Sequence, residues 1–208
     1  MPKTAQEKTT EETILIAAQK IFTSKGYAGT RMQAIADEAG INKAMLHYYF
    51  RSKDKLFQKI LNEALDSVAP VIMNALRGEG SVMEKLEILI REHTRLLFER
   101  PYMPLFILHE LSQNRENFVP GMVARDGGQE AIAGFLMQVV QEGQEGKIRP
   151  IHPVHLMMHT MGLIVFPFIV KPIIERAAGI SEADFDELMR ERVAETTAFV
   201  RAGLAPVG

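Results

Sequence analysis

The sequence predicts an all-α fold: an N-terminal three-helix unit followed by a larger helical domain, with about nine helices in total. Apolar residues recur three and four positions apart along almost the whole chain, which is the period of an amphipathic helix. Glycine, proline and capping residues fall between these runs, and no segment has the alternating apolar and polar pattern of a half-buried strand.

Four helices are predicted in the first third of the chain, each with its own start or stop signal. Gly26 is expected to end the first helix in the left-handed conformation. Thr30, Asn42 and Ser52 are residue types that cap the first turn of a helix. The predicted bounds are Ile14 to Gly26, Thr30 to Gly40, Asn42 to Tyr49 or Phe50, and Ser52 to Pro70, where proline kinks or ends the helix.

Five further helices follow, separated by glycine, proline and polar turns. Residues 114–121 are polar enough to be predicted as a loop, and Pro167 and Pro172 are expected to bend the penultimate helix. The predicted bounds are Val82 to Glu99, Met103 to Gln113, Gln129 to Glu145, Val154 to Ile174, and Ser181 to Ala202.

Composition limits the class of protein. The chain has 208 residues, of which 47% are hydrophobic and 24% charged, which is typical of a globular protein with a substantial core. It has no cysteine, so disulfides, iron–sulfur clusters and thiolate zinc sites are excluded. The polar N-terminus lacks the apolar core of a secretory signal, and prolines and histidines interrupt the uncharged stretch near residues 150–170. We therefore expect a cytoplasmic protein with no membrane partner.

The charge is unevenly distributed. Residues 1–55 carry a formal charge of +3, whereas residues 56–208 carry −5. A basic end is where nucleic acid would bind, although an excess this small also arises by chance on a mixed surface.

Two short predicted helices meet at Ala39-Gly40-Ile41, with glycine in the turn, as in a helix-turn-helix. At about 100° per residue, the two sides of the second helix differ in chemistry. One side is apolar and aromatic, and the other offers a cation, a small residue, an imidazole and a phenol: Leu46, Tyr49 and Phe50 against Lys43, Ala44, His47 and Tyr48. The second set suits base edges and phosphates in a major groove. The alternative is a helical hairpin that only packs.

A longer pattern with fixed spacing surrounds this turn. It reads Phe22-x3-Gly26-Tyr27-x2-Thr30, then Ile35-Ala36-x2-Ala39-Gly40-Ile41, then Leu46-His47-Tyr48-Tyr49-Phe50-x2-Lys53-x2-Leu56. This pattern resembles the tetracycline-repressor (TetR) family. The resemblance implies a DNA-binding domain over residues 1–52 and a ligand-sensing and dimerisation domain over residues 53–208. It implies a transcriptional regulator, most simply a repressor, that binds a palindromic DNA operator as a homodimer and is released by a small molecule, with no cofactor.

The resemblance also implies roles for individual residues in DNA binding. Base-facing positions fall on Lys43, Ala44 and His47, and phosphate-contacting positions on Tyr48 and Lys53. The remaining expected DNA-binding residues begin or cap the two helices: Thr30, Arg31, Gln33 and Asn42. His47 stands where the family frequently has tyrosine, and Tyr49 where it frequently has histidine, so base preference near His47 is expected to differ.

Two residue sets are predicted for the larger domain. Aromatic, methionine or polar residues on otherwise apolar helices are candidates for a ligand cavity, although each also fits a plain core: Phe106, His109, Phe135, Met157, Met158, Met161 and Phe166. A stripe on the last helix is predicted to form the dimer interface, although it also fits packing inside one subunit: Phe185, Leu188, Met189, Val193, Phe199 and Val200.

Patterns for catalysis or metal binding are weak. His109-Glu110-Leu111-Ser112-Gln113 approaches a zinc-protease motif, but Gln113 stands where the second histidine ligand must be. His152, His155 and His159 lie at spacings that suit a common ion, but no acidic or thiolate ligand is close in sequence. We therefore predict neither an enzyme nor a metal site. A purely architectural DNA protein is disfavoured because it needs no large apolar domain.

Overall fold

The helices lie close to their predicted positions in the computed structural model, which describes residues 5–206. Within this range there are eleven α-helices, one 3-10 turn (Arg125–Gly127) and no strand, so the all-α prediction is confirmed. The bounds are α1 Ala5–Gly29, α2 Met32–Glu38, α3 Lys43–Tyr49, α4 Lys53–Arg77, α5 Val82–Glu99, α6 Met103–Gln113, α7 Arg115–Ala124, α8 Gly128–Gln144, α9 Pro153–Ile169, α10 Lys171–Ala178 and α11 Glu182–Leu204. Residues 1–4, at the start of the first predicted domain, and residues 207–208, at the end of the second, lie outside the described residues.

Helices α1 to α3 form a small unit around buried residues from each helix, among them Ile14, Ile35 and Leu46. Gly26 breaks α1 with φ 66°, as predicted, and Gly40 turns the chain between α2 and α3 with φ 65°. Only glycine takes these left-handed angles without steric penalty, which is why the turn is short enough to pack α3 against α2.

The N-caps agree with prediction at α3 and α4 but not at α2. Asn42 Oδ1 accepts from Met45 N at 2.8 Å, and Ser52 Oγ accepts from Lys55 N at 3.2 Å. Thr30 was predicted to cap α2, and this is wrong: Arg31 is the N-cap residue. The Thr30 hydroxyl instead donates backwards to Gly26 O at 2.7 Å, because the break in α1 leaves that carbonyl without a helical partner.

Helix α4 is the central element. Pro70 does not end it, and the helix continues to Arg77. Its buried face packs against α1, α5, α6 and α8, so tertiary contacts outweigh the loss of one backbone hydrogen bond at the proline. The helix therefore connects the α1–α3 unit directly to the interior of the larger domain.

Two predictions for the larger domain are wrong. The segment 114–121, predicted as a loop, lies largely in α7. The single helix predicted over Val154 to Ile174 is two helices, α9 and α10, with a bend of 67° between them. Pro172 lies in the first turn of α10, where a missing N–H is tolerated, so the proline begins a new helix rather than bending an old one.

No single helix among the described residues is long and apolar enough to span a membrane, whereas the bent pair α9 and α10 has the necessary length and composition when its two parts are taken together.

Candidate nucleic-acid interface and internal cavity

The outer face of α3 carries exposed side chains of different chemistry. Lys43, Ala44 and His47 are exposed, and the Tyr48 side chain is 75% exposed. Leu46 on the opposite side is fully buried. The sequence-predicted division of α3 into an inward and an outward face is therefore present in the structure.

The residues predicted around α3 take up different positions. Arg31 and Gln33 are exposed at the start of α2, and Gln33 Nε2 donates to Asp37 Oδ1 at 2.7 Å. Asn42 is exposed and holds the first turn of α3 through its side chain. Thr30 is only 3% exposed, and its hydroxyl donates a hydrogen bond to Gly26 O. This side chain therefore joins α1 to α2 instead of facing outward.

Lys53, predicted to contact phosphate, holds the start of α4 against the end of α1. Its Nζ donates to Tyr27 O at 2.9 Å and to Thr30 O at 3.2 Å. The same ammonium lies 4.2 Å from the centre of the Tyr27 ring, within the range of a cation–π contact. These contacts fix the orientation of the α1–α3 unit relative to α4.

We expect Lys53→Met to lower the free energy of unfolding by about 2 kcal/mol, because it removes two charge-assisted hydrogen bonds to backbone carbonyls. Lys55→Met is the matched control, since Lys55 is exposed one half-turn further along the same helix. Urea unfolding of both variants measures the difference. Equal stability of the two variants would show that Lys53 does not hold this junction.

An aromatic cluster lies at the same junction, between α1, α4 and α6. Phe57 stacks on Phe106 with ring centres 4.3 Å apart, and Tyr27 stacks on His109 at 4.3 Å. Phe22 meets the edge of Phe106 at 5.7 Å. Phe106 and His109, predicted as ligand residues, thus belong to this cluster. Composition did not indicate these contacts, because α6 is apolar on two sides and one of them packs on the α1–α3 unit.

The larger domain contains a partly open cavity of about 420 Å³ between α4, α5, α6 and α9, with further walls from α7 and α8. Its lining is aliphatic, apart from two polar side chains among the described residues, His93 and Arg125. Of the seven predicted ligand residues, Met157 and Met161 line this cavity. Four positions apart on α9, they share one helix face.

The remaining predicted ligand residues do not line it. Phe135 is fully buried in the core, whereas Met158 and Phe166 are exposed on the outer side of α9. Composition could not distinguish cavity-lining residues of α9 from exposed ones, because this helix is apolar on every side. The lining of the cavity by α4 and His93 was not predicted from the sequence. A signal for His93 was present, because it lies three positions after Ile90 and four before Leu97, within an apolar stripe.

His93 is the unusual group in the cavity wall. Its side chain is 3% exposed, and Nδ1 is buried without a hydrogen-bond partner. Burial lowers the pKa of His93 from its ordinary value to about 4, so the imidazole is neutral near pH 7.

Arg125, at the other polar position, already has partners. Its guanidinium pairs with Asp66 and donates from Nη2 to Asn62 Oδ1 at 2.6 Å. Its Nε is buried and unpartnered.

Helices α9 and α11 run antiparallel. Phe168 near the end of α9 meets Phe185 near the start of α11 at 6.3 Å, and Arg149 N, just before α9, donates to Leu204 O at 3.0 Å. The predicted dimer stripe on α11 divides into two sets. Phe185, Met189 and Val200 are buried within the chain, so they pack inside one subunit, which is the alternative that the stripe also fitted; Val193 is partly buried.

Other residues form an apolar outer surface on these two helices. Leu188 is 45% exposed and Phe199 is 68% exposed on α11, and Phe166 shares a surface groove with Leu188. Val154 and Met158 are exposed on α9. We call these five residues the α9–α11 outer face.

Comparison with known proteins identifies the N-terminal unit. Residues 14–60 match the sequence profile of bacterial regulatory proteins of the tetR family. The HTH-type transcriptional activator FasR of Mycolicibacterium smegmatis is 32% identical over 100 residues, which are 43% of this chain and 46% of FasR. The α1–α3 unit together with the start of α4 is therefore similar to the DNA-binding unit of the TetR family.

The match to FasR spans less than half the length of that relative. Solved structures cover nearly all of this chain at lower identity. The ketosteroid transcriptional regulator KstR2 of Mycobacterium tuberculosis has a TM-score of 0.73 at 17% identity, covering 95% of each chain. AibR in complex with isovaleryl coenzyme A and operator DNA has a TM-score of 0.64 at 21% identity, covering 95% of this chain and all of AibR. These likenesses establish the fold of the larger domain.

The structure also places the histidines that the sequence had suggested as possible metal ligands. His109 stacks on Tyr27, and Glu110 Oε1 accepts from Gln58 Nε2 at 2.7 Å. The ring centres of His155 and His159 are 6.2 Å apart. Across the part of the chain that the structure describes, no three His, Asp or Glu side chains are grouped to hold a metal ion.

Burial of neutral His93 predicts a pH-dependent stability. The unfolded chain binds this proton with a pKa near 6.5, whereas the folded chain binds it near 4, so stability falls as the pH drops through this window. We expect a loss of about 2 kcal/mol between pH 7 and pH 5. Urea unfolding at both pH values should show a smaller pH dependence in His93→Leu than in the parent. The same dependence in both proteins would contradict this prediction.

Proposed function

We propose that this chain is a transcriptional repressor that binds a palindromic DNA operator as a homodimer and is released by a small molecule in its internal cavity. The observation that carries this proposal is the outer face of α3, which presents Lys43, Ala44, His47 and Tyr48 to solvent on a TetR-family helix-turn-helix. We assign residues 1–52 to DNA binding and residues 53–208 to ligand sensing and dimerisation. A protein that acts on chromosomal DNA works in the cytoplasm.

The proposed DNA contacts follow from exposure and chemistry. Lys43 donates to base edges, His47 reads a neighbouring base, and Ala44 permits close approach. Tyr48 and Arg31 donate to phosphates on either side, and Gln33 reaches the same backbone. We propose that Thr30, Asn42 and Lys53 position this surface, since their polar atoms hold the helix ends in place.

The α9–α11 outer face supports homodimerisation. Two antiparallel helices with exposed apolar side chains form a four-helix interface when a second copy packs on them around a two-fold axis. A two-fold dimer presents its two recognition helices to half-sites about one DNA turn apart, near 34 Å.

Two helices connect the cavity to the DNA-binding unit. Helix α4 lines the cavity between Leu65 and Leu76 and begins at Lys53, which is bonded to the end of α1. Helix α6 lines the cavity through Met103 and Ile107, and its other side carries Phe106 into the aromatic cluster. A ligand that moves either helix therefore reorients the α1–α3 unit.

This coupling accounts for release of DNA. A small rotation of each α3 spoils both half-sites together, because their spacing is set by the DNA. Coupling of 1 to 3 kcal/mol, typical of allosteric proteins, changes operator affinity by about 5- to 150-fold. The AibR structure, solved with isovaleryl coenzyme A and operator DNA, supports a ligand and DNA as partners of this fold.

The test is a titration of the DNA upstream of the chain's own gene, at several salt concentrations, followed by a metabolite screen for release. Specific binding that weakens steeply with salt is the expected result. A ligand that tightens operator binding would instead indicate a corepressor-type regulator. The second candidate function is that of an activator, as in FasR, and raised transcription from the bound promoter would favour it. Binding no tighter than to unrelated DNA would overturn both.

A further inference from the structure

The cavity walls favour an apolar occupant. Side chains such as Leu65, Ile72, Met103 and Met157 surround a volume of about 420 Å³. This volume lies within the range of about 300 to 1,000 Å³ typical of ligand pockets. An aliphatic wall offers almost no hydrogen bonds to water, so filling it with hydrocarbon is favourable.

The same walls offer no free charge to an ionic ligand. Arg125 is the one formally charged side chain among the described lining residues, and its guanidinium is already paired with Asp66. His93 is neutral near pH 7 because of its burial. A carboxylate or ammonium group inside the cavity would lose its hydration and would meet no charge that is not already neutralised by an ion pair, which is strongly unfavourable.

Two polar lining residues have a buried atom without a partner, Arg125 at Nε and His93 at Nδ1, and of these His93 makes no other side-chain hydrogen bond among the described residues. His93 lines the cavity, its side chain is more than nine-tenths buried, and its Nδ1 makes no hydrogen bond. Buried polar atoms are nearly always hydrogen-bonded, and leaving one unsatisfied is destabilising. A ligand oxygen that reaches this imidazole would satisfy it.

We propose that the effector places in the cavity an uncharged aliphatic group carrying one hydrogen-bonding oxygen, and that this oxygen bonds to the imidazole of His93. This inference rests on the proposed function, since it names the ligand class of the proposed sensing site. A free medium-chain alcohol has this chemistry. So does the acyl group of a thioester whose charged end stays outside the cavity.

Calorimetric titration without DNA tests the ligand class. The probes are 1-decanol and decanoate at pH 7.5, which share a ten-carbon chain and differ in charge. We expect 1-decanol to bind at least tenfold more tightly than decanoate. Equal binding of the two probes, tighter binding of decanoate, or no binding of 1-decanol would overturn the proposal. Decanoyl coenzyme A, as a third probe, distinguishes a free effector from a thioester: whichever of the two binds more tightly identifies the source.

Three variants test the role of His93. We expect His93→Leu to weaken the better-binding probe about tenfold, as for the loss of one hydrogen bond, and His93→Gln to weaken it less. Thr160→Val is the matched control, because Thr160 Oγ1 is also buried without a partner but does not line the cavity. Equal affinity of His93→Leu and Thr160→Val for the probe would overturn the contact. If His93→Leu does not fold, the same comparison is made between His93→Gln and Thr160→Val, and equal affinity would again overturn it.

The titration is independent of operator binding. Failure of 1-decanol to bind, in a protein that still binds its operator, removes this inference and leaves the proposed function in place. Failure to bind any operator removes the proposed function while the ligand titration can still be interpreted.

Discussion

Replacing Leu188 and Phe199 together by glutamate is expected to produce a monomer and to weaken operator binding at least ~100-fold, in the range by which linking two binding modules raises affinity. Both side chains are large, apolar and exposed on α11 in the single chain. Four introduced carboxylates in a two-fold interface would be desolvated and would repel one another. Light scattering measures the mass, and fluorescence anisotropy with labelled operator measures the affinity.

The matched control is Met137→Glu with Val140→Glu, which places two charges at comparably exposed apolar positions on α8. We expect this protein to remain dimeric and to bind DNA like the parent. A folded Leu188→Glu, Phe199→Glu protein that is still dimeric would remove the α9–α11 outer face from consideration as the interface.

The second large effect is expected at α3. Lys43→Ala should weaken operator binding by about 5- to 150-fold and weaken binding to unrelated DNA less, because a lysine at a base edge contributes roughly 1 to 3 kcal/mol of discrimination. Tyr48→Phe should weaken binding to both DNAs by a similar, smaller factor, since a phenol that bonds a phosphate does not distinguish bases. Anisotropy titrations at one salt concentration measure all four affinities.

Lys147→Ala is the control for these variants, because Lys147 is exposed and pairs with Glu145, after α8. It removes the same charge from a surface with no proposed role in DNA binding. If Lys43→Ala and Tyr48→Phe bind the operator as tightly as Lys147→Ala, the recognition helix has been assigned to the wrong element.

Much of the DNA-binding unit was predictable because its signals are local. The turn at Gly40 depends on one residue that tolerates positive φ, and the caps at Asn42 and Ser52 depend on a side chain reaching an amide three positions later. The outward set of α3 follows from helical periodicity once Leu46 is taken as buried. Each of these features involves residues within about one turn of one another.

The contacts that the sequence did not indicate involve partners distant in the chain. Lys53 was predicted to contact phosphate, and the structure adds that its ammonium donates hydrogen bonds to the backbone carbonyls of Tyr27 and Thr30. Phe106 and His109 were predicted to face a ligand, but they meet rings from α1 and α4. Residue type identifies side chains that are able to line a cavity, but it does not identify the residues that each side chain contacts in the folded chain.

The sequence by itself determined the helical class, most helix boundaries, the helix-turn-helix and the chemistry of its outer face, because short-range periodicity, capping and glycine conformation govern these features. Only the tertiary structure decided that α9 ends before Lys171, that Phe185 and Met189 turn inward while Leu188 and Phe199 remain exposed, and that His93 borders the cavity. On a helix that is apolar on several sides, the buried side is the one that finds a complementary surface, and that surface is supplied by residues far away in the chain.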